Sequence, residues 1–202
     1  VDGIDGRAYV ANSGLFQIYD VTEPWNPVLL SSYAPPASVL SVTVRLPLAY
    51  LAMGAGGLHI VNVANPASPV GMSTYNTPRH AYRATLYYKY ALVSDQTSLQ
   101  ILDIADARTP LFVGRFDTPA SSSMSTLGFK ANHWLLRRPG VVEAYDISNP
   151  HAPSWEKTYG QFGYIGGSRM EGDTAYLNEM GRGIHLVEVS DPLNPIEVGL
   201  YE

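Results

Sequence analysis

Apolar and polar positions along this chain alternate in short bursts. FQIY (16–19), LHIV (58–61), LQIL (99–102), VEAY (142–145) and IHLV (184–187) each place a hydrogen-bonding residue between apolar ones. Period-two patterning of this kind predicts strands with two differently packed faces. A second burst follows each of these after a proline: VLLSSY, VGMSTY, LFVGRF, SWEKTY and IEVGLY. A third precedes it, as YVAN, YLAM, LVSD, HWLL and YLNE, and before that comes a small-residue stretch such as SVLSVTV or SSSMST. The pattern predicts four strands per unit. No stretch carries a capped stripe at i, i+3, i+4 and i+7 long enough for a helix.

The bursts recur at a fixed distance. The first acid or amide after each third strand is Asp20, Asn62, Asp103, Asp146 and Glu188, spaced by 42, 41, 43 and 42 residues. Five units of this length belong to helical repeats, solenoids or propeller blades, and four predicted antiparallel strands select the blade. The expected fold is all-β, a five-bladed β-propeller in a single domain. Its repeats run approximately 1–36, 37–78, 79–119, 120–162 and 163–202. Hairpin turns are expected at Asp5-Gly6 and Glu171-Gly172-Asp173, whose residues tolerate positive φ.

Prolines punctuate every unit. Pro27, Pro69, Pro110, Pro153 and Pro195 are preceded three residues earlier by Pro24, Pro66, Ala107, Pro150 and Pro192. A proline cannot donate to a ladder and fixes φ, so the pair predicts a corner that ends the third strand and admits the outermost one. Glu23, Asn65, Asp106, Asn149 and Asp191, just before it, suit turns closed by a side chain on backbone amides. Thirteen residues past each anchor stands an aromatic: Tyr33, Tyr75, Phe116, Tyr159 or Tyr201. Each is expected to plug the space between neighbouring blades and bury most of its ring.

The units resemble LVIVD repeats, recognisable in LQILDI, VEAYDISNP and FQIYDVTEP. The resemblance covers essentially the whole chain. It implies a β-propeller, commonly in exported or surface-anchored bacterial or archaeal proteins with binding roles. The departures are Asn62 and Glu188 for the acid, Ala107 for a proline, and a fourth unit irregular around NHWLLRRPG. Alignment places Val1 within an innermost strand, so the chain is expected to be a fragment of a longer protein, its first unit short by about five residues by that alignment. Five blades closing on themselves is the expected ring, with an open arc of a larger one as the alternative.

Composition narrows the partners. With 46% apolar and 15% charged residues, a net charge of -5 and fourteen tyrosines, the chain can bury a core and has no basic footprint for nucleic acid. No run of about 18 apolar residues predicts a membrane span. The absence of cysteine excludes disulfides and thiolate chemistry.

Propeller ligands sit at loops around one mouth of the channel. There the sequence offers Arg79, His80, Ser121 to Ser123, Phe162 and Tyr164 before the inner strands. Between the second and third strands it offers Asn12, Asp95, Gln96, Arg137, Arg138, Glu179, Met180 and Arg182. The candidate ligand site is drawn from Arg79, His80, Asp95, Arg137, Arg138, Tyr164, Glu179 and Arg182, with arginine suited to grip a carboxylate. Gln17, His59, Gln100, Glu143 and His185 share one place in the third strand. Equivalent positions in different blades do not converge on one ion, so these are expected to hydrogen-bond between blades or face water, not to hold metal. A glycoside hydrolase needs two carboxylates about 5 to 10 Å apart. The predicted inner strands offer Asp2 alone. The expected function is therefore a non-catalytic binding or scaffold module, extracellular or at the cell surface. It takes a protein, small-molecule or glycan ligand without a cofactor, and assembly with other domains or subunits is open to it. The alternative is a carbohydrate-active propeller, glycoside hydrolase-like or lectin-like.

Overall fold

The structure, a computed structural model, describes residues 1–12, 14–95, 98–117, 125–138 and 140–202. Among them the chain is all-β, with twenty strands and no helix, arranged as five four-stranded antiparallel β-propeller blades. Blade 1 is β1 (Asp2–Ile4), β2 (Arg7–Asn12), β3 (Leu15–Asp20) and β4 (Val28–Tyr33). Blade 2 is β5 (Ser41–Arg45), β6 (Leu48–Ala52), β7 (Leu58–Asn62) and β8 (Val70–Tyr75). Blade 3 is β9 (Ala81–Tyr87), β10 (Tyr90–Asp95), β11 (Ser98–Asp103) and β12 (Leu111–Asp117). Blade 4 is β13 (Ser125–Lys130), β14 (His133–Arg138), β15 (Val141–Asp146) and β16 (Ser154–Tyr159). Blade 5 is β17 (Ile165–Glu171), β18 (Thr174–Glu179), β19 (Gly183–Glu188) and β20 (Ile196–Tyr201). Each sheet follows chain order, and the chain divides into two compact units, Val1–Thr118 with blades 1 to 3 and Pro119–Glu202 with blades 4 and 5.

Within the units the cores lie between sheets. Tyr9, Phe16 and Ile18 of blade 1 pack with Val42, Leu51 and Val61 of blade 2. Tyr50, Leu58 and Ile60 of blade 2 pack with Ala84, Val93 and Leu102 of blade 3. Leu135, Val142 and Ala144 of blade 4 pack with Ile165, Leu177 and Val187 of blade 5. Each fully buried side chain of this size contributes roughly 1.5 to 3 kcal/mol, so a junction is held chiefly by its apolar strand positions.

The proline corner works through side-chain acceptors. Asp20, Asn62, Asp103 and Asp146 each accept from the amide two residues on, at 2.7 to 2.9 Å. Asn65, Asp106, Asn149 and Asp191 repeat the device one step later, at 2.9 to 3.1 Å. An amide oxygen serves as well as a carboxylate here, which is why Asn62 stands in for the acid. The longer Glu188 takes the Ser190 hydroxyl instead, at 2.8 Å. Hydrogen bonds hold the corner aspartates below the ordinary range. The leading donor is the Thr22 hydroxyl at Asp20, Lys89 at Asp103, the Arg108 amide at Asp106, the Ser148 amide at Asp146 and the Asn194 side chain at Asp191. Past the corner the outer strand joins the third through a bulge at the same place in every blade.

The corners also join blades. Ser31 Oγ donates to the Pro66 carbonyl and Ser73 Oγ to the Ala107 carbonyl, both at 2.6 Å. The acceptor is backbone, so alanine serves at residue 107 where the other units have proline. The Asp5-Gly6 turn takes positive φ at both residues, and Gly172 does so in the last blade, as their residue types require.

The aromatic plug is observed for Tyr33, Tyr75 and Tyr159, each packed into the core between its blade and the next one of its unit. Tyr201 departs from the expectation and is 71% exposed. It lies on the last sheet of its unit, whose face also exposes Tyr176 and Ile184. The corresponding Tyr9 and Phe16 are buried because blade 2 covers them.

Candidate functional site

The five polar residues of the third strands, Gln17, His59, Gln100, Glu143 and His185, are all buried. Each lies near the start of its strand, where the chain returns from the second strand, and three are met by the residue that ends that second strand. Asn12 Nδ2 donates to Gln17 Oε1 at 2.9 Å, Arg138 donates to Glu143 at 2.9 Å, and Glu179 accepts from His185 Nε2 at 2.7 Å. A buried polar atom without a partner costs about 1 to 3 kcal/mol, so each blade supplies a complement of suitable type. Blade 3 satisfies Gln100 from Ser98 at 2.8 Å. Blade 2 has Ala52 there, followed by Met53, and His59 turns to Thr74 at 2.8 Å and to Tyr33 Oη of blade 1 at 2.9 Å. The layer is therefore hydrogen-bonded mostly within blades, and His59 is bonded between them.

This places most of the predicted ligand residues. Arg138 is engaged with Glu143, whose other oxygen accepts from Tyr145 at 2.7 Å. Arg137 of blade 4 donates to the Ile165 carbonyl of blade 5. Asp95 is buried; its Oδ2 accepts the Arg79 amide at 3.3 Å, and its Oδ1 has no partner among the described residues. Burial drives the Asp95 carboxyl above its ordinary value, against the Arg79 amide and the charges of Arg115, Arg79 and His80. The side chains of Arg79 and His80 are exposed beside it, around a cavity of about 330 Å³ with Ala55, Thr77 and Pro78. In the other unit Tyr164 is exposed, and Arg182 is 61% exposed with its nearest carboxylate, Glu179, 4.0 Å away. The predicted loop residues Gln96 and Ser121 to Ser123 lie outside the described residues.

Two adjacent blades of the second unit enclose a site that joins Glu179 and Arg182, both candidates from the sequence, to Glu197, which was not one. His185 sits between Glu179 on Nε2 and Glu197 of β20 on Nδ1, the latter at 2.9 Å. Each ring nitrogen therefore faces a carboxylate oxygen. Burial works to raise the Glu179 carboxyl. The Gly163 amide, His185 and Arg182 outweigh it and hold the group below its ordinary value. Tyr159 Oη, at the place taken by Tyr33 in blade 1, has no partner among the described residues, and burial raises its phenol. Beside these residues lies a cavity of about 210 Å³ lined also by Gln161, Phe162, Arg182, Val187 and Pro195. The pairing of second-strand ends with third-strand residues was readable in outline, since Asn12 and Gln17, Arg138 and Glu143, and Glu179 and His185 are complementary donors and acceptors. Glu197 carried no such signal. Among the described residues no group of three His, Asp or Glu is placed to hold a metal ion.

Asp2, the one carboxylate on the predicted inner strands, is also engaged. Asp2 Oδ2 accepts the Val44 amide of blade 2 at 2.7 Å, and its Oδ1 accepts the Gly3 amide at 2.9 Å. Glu179 and Glu197 lie on the two sides of one imidazole.

The fold is similar to that of a functionally unknown protein from Desulfotomaculum acetoxidans, with a TM-score of 0.79 and 9% identity over 96% of this chain and 65% of that one. A protein from Lactobacillus plantarum gives 0.78 and 12% identity over 97% and 67%, and the computationally designed Ika8 protein gives 0.67 and 11% over 100% and 62%. At such identities the likeness shows the fold alone, and this chain spans about two thirds of the length of each. No curated protein matches it. The LVIVD repeat matches residues 6–34, 39–77 and 78–118, more than half of the sequence, and the chain belongs to the LVIVD repeat family.

Proposed function

We propose that this chain is a non-catalytic binding or scaffold module of an exported or cell-surface protein, taking a carboxylate-bearing ligand or peptide on side chains exposed at its loop ends. One observation carries the reading. The acids near those loops are committed inside the protein, while the cations and aromatics Arg79, His80, Tyr164 and Arg182 stay exposed. Arg182 meets Glu179 only at 4.0 Å, beyond hydrogen-bond distance, so its exposed guanidinium keeps donors for paired hydrogen bonds with a ligand carboxylate. Asp95 has the raised carboxyl expected of a general acid, but it is 1% exposed and out of reach of a substrate. The exported setting is supported by the family resemblance.

The test uses an array of short peptides with free or amidated C-termini, read alongside hydrolysis of a broad glycan panel. Binding that prefers free carboxylates and weakens at least about tenfold in Arg79→Ala or Arg182→Ala supports the reading, since a charge-assisted hydrogen bond contributes about 1.5 to 3 kcal/mol. Turnover of any glycan, abolished by Asp95→Asn or Glu179→Gln, would replace it with the hydrolase.

A further inference from the structure

The cavity between blades 4 and 5 lies beside an outer-strand position that differs from its counterpart at the junction of blades 1 and 2. In blade 2 that position is Gly71, where an added Cβ would stand 2.2 Å from Tyr33 Oη and 3.1 Å from His59 Nε2. The glycine lets the tyrosine hydroxyl reach the histidine and seal the junction. In blade 5 the same register, opposite Val187 as Gly71 is opposite Val61, holds Glu197. Glu197 meets Nδ1 of His185, where His59 has Thr74, and Glu179 meets Nε2, the nitrogen that Tyr33 reaches on His59, so Tyr159 is left without that bond beside the cavity. Gly160 shapes the other wall. Its φ of +76° turns the chain so that Phe162 folds back edge-on to His185, with ring centroids 5.1 Å apart, where a Cβ would strike the phenyl ring at 2.1 Å.

The chemistry of this opening is specific. Arg182 offers a guanidinium that is 61% exposed. Glu197 is half exposed, and only its Oε1 is spent on His185. The ring of Phe162, the buried Val187 and the Tyr159 ring form an apolar wall. One cation and one anion beside an apolar wall complement a small zwitterion with an apolar side chain. The volume of about 210 Å³ lies below the roughly 300 to 1,000 Å³ of pockets that take drug-sized ligands, which favours a single residue over a chain.

We propose that the cavity bounded by Tyr159, Phe162, Arg182, His185, Val187 and Glu197 binds a free apolar α-amino acid, its carboxylate on Arg182, its ammonium on Glu197 and its side chain against Phe162. The inference rests on the binding reading above and names the ligand class for one of its sites.

Titration calorimetry on the whole chain tests it, with leucine and phenylalanine, their N-acetyl and amide derivatives, and neutral monosaccharides. Leucine or phenylalanine binds saturably, each blocked derivative binds at least about tenfold more weakly, and Arg182→Ala gives the same loss without a change in melting temperature. Glu197→Gln weakens binding of the unblocked amino acids. If that variant melts early through its effect on His185, the N-acetyl derivative reports the ammonium contact on the unaltered protein. Absence of saturable amino-acid binding, equal affinity for the blocked forms, or a preference for neutral sugars overturns the proposal. Loss of this proposal alone leaves peptide binding through Arg79 intact, whereas glycan turnover removes the binding reading itself.

Discussion

The junction of blades 1 and 2 and the junction of blades 4 and 5 are built from the same repeat and end differently. In the first, Tyr33 crosses to His59 at 2.9 Å, their rings lie nearly parallel, and the histidine is completed by Thr74. In the second, His185 is completed by two glutamates, Tyr159 has no partner among the described residues, and a cavity lies alongside. The apolar strand positions at both junctions are buried alike. The difference therefore lies in the polar layer, and it shows that a repeat can keep its packing while changing what one joint exposes. The family match covers the blades with the sealed joint and stops at residue 118, before the blades with the open one.

The most disruptive way to break this comparison is to move the blade 5 residue into blade 2. Gly71→Glu drives a side chain into Tyr33 and His59, combining overpacking with a lost buried hydrogen bond, for about 2 to 4 kcal/mol. For a chain of this size the melting temperature should fall by roughly 5 to 15 °C. An unchanged melt would show that the glycine is not what seals the joint.

A finer contrast pairs two identical substitutions. Tyr33→Phe strips His59 of a partner in a buried setting and should cost about 1 to 3 kcal/mol in urea unfolding. Tyr159→Phe removes a hydroxyl with nothing to lose and should fall within about 0.5 kcal/mol of the parent or stabilise it. Equal losses would mean the two joints are alike after all. Ser31→Ala and Ser73→Ala, which remove the hydroxyl links to Pro66 and Ala107, should each cost about 1 kcal/mol and by similar amounts, because both acceptors are backbone carbonyls.

The smallest effect is a pH slope. Burial lowers the His59 pKa, opposed by a backbone hydrogen bond with Ser73. The unfolded chain therefore takes up the proton first, near pH 6.5. Stability from the neutral ring is complete above that value and is lost as pH falls through the lower folded one. His59→Gln should flatten the difference between unfolding midpoints measured on the two sides of pH 6.5, and a slope identical to the parent would exclude His59 as its source.

The fold was legible because its signals are local and repeated. Alternation at FQIY and LQIL specifies strands, and the proline pair with its preceding Asp or Asn specifies a corner without reference to the rest of the chain. The polar layer was only half legible. Glu143 beside Arg138 and His185 beside Glu179 are complementary at short range, but reading Arg138 and Glu179 as free ligand groups overlooked those partners. The cavity was not legible, because it depends on which of several outer-strand residues meets an imidazole twelve positions earlier in the chain, a matter of sheet register and bulge rather than composition. Tyr201 shows the same limit: its residue type fits a plug, yet exposure is decided by what stands opposite it.

The serine hydroxyls of the outer strands grip a neighbour's main-chain oxygen and ignore the side chain that carries it. A joint made this way asks of its partner only that a corner be present at the right height. Blades so linked tolerate a change of residue at the corner: alanine stands at 107 where the other units have proline, and Ser73 still reaches its carbonyl.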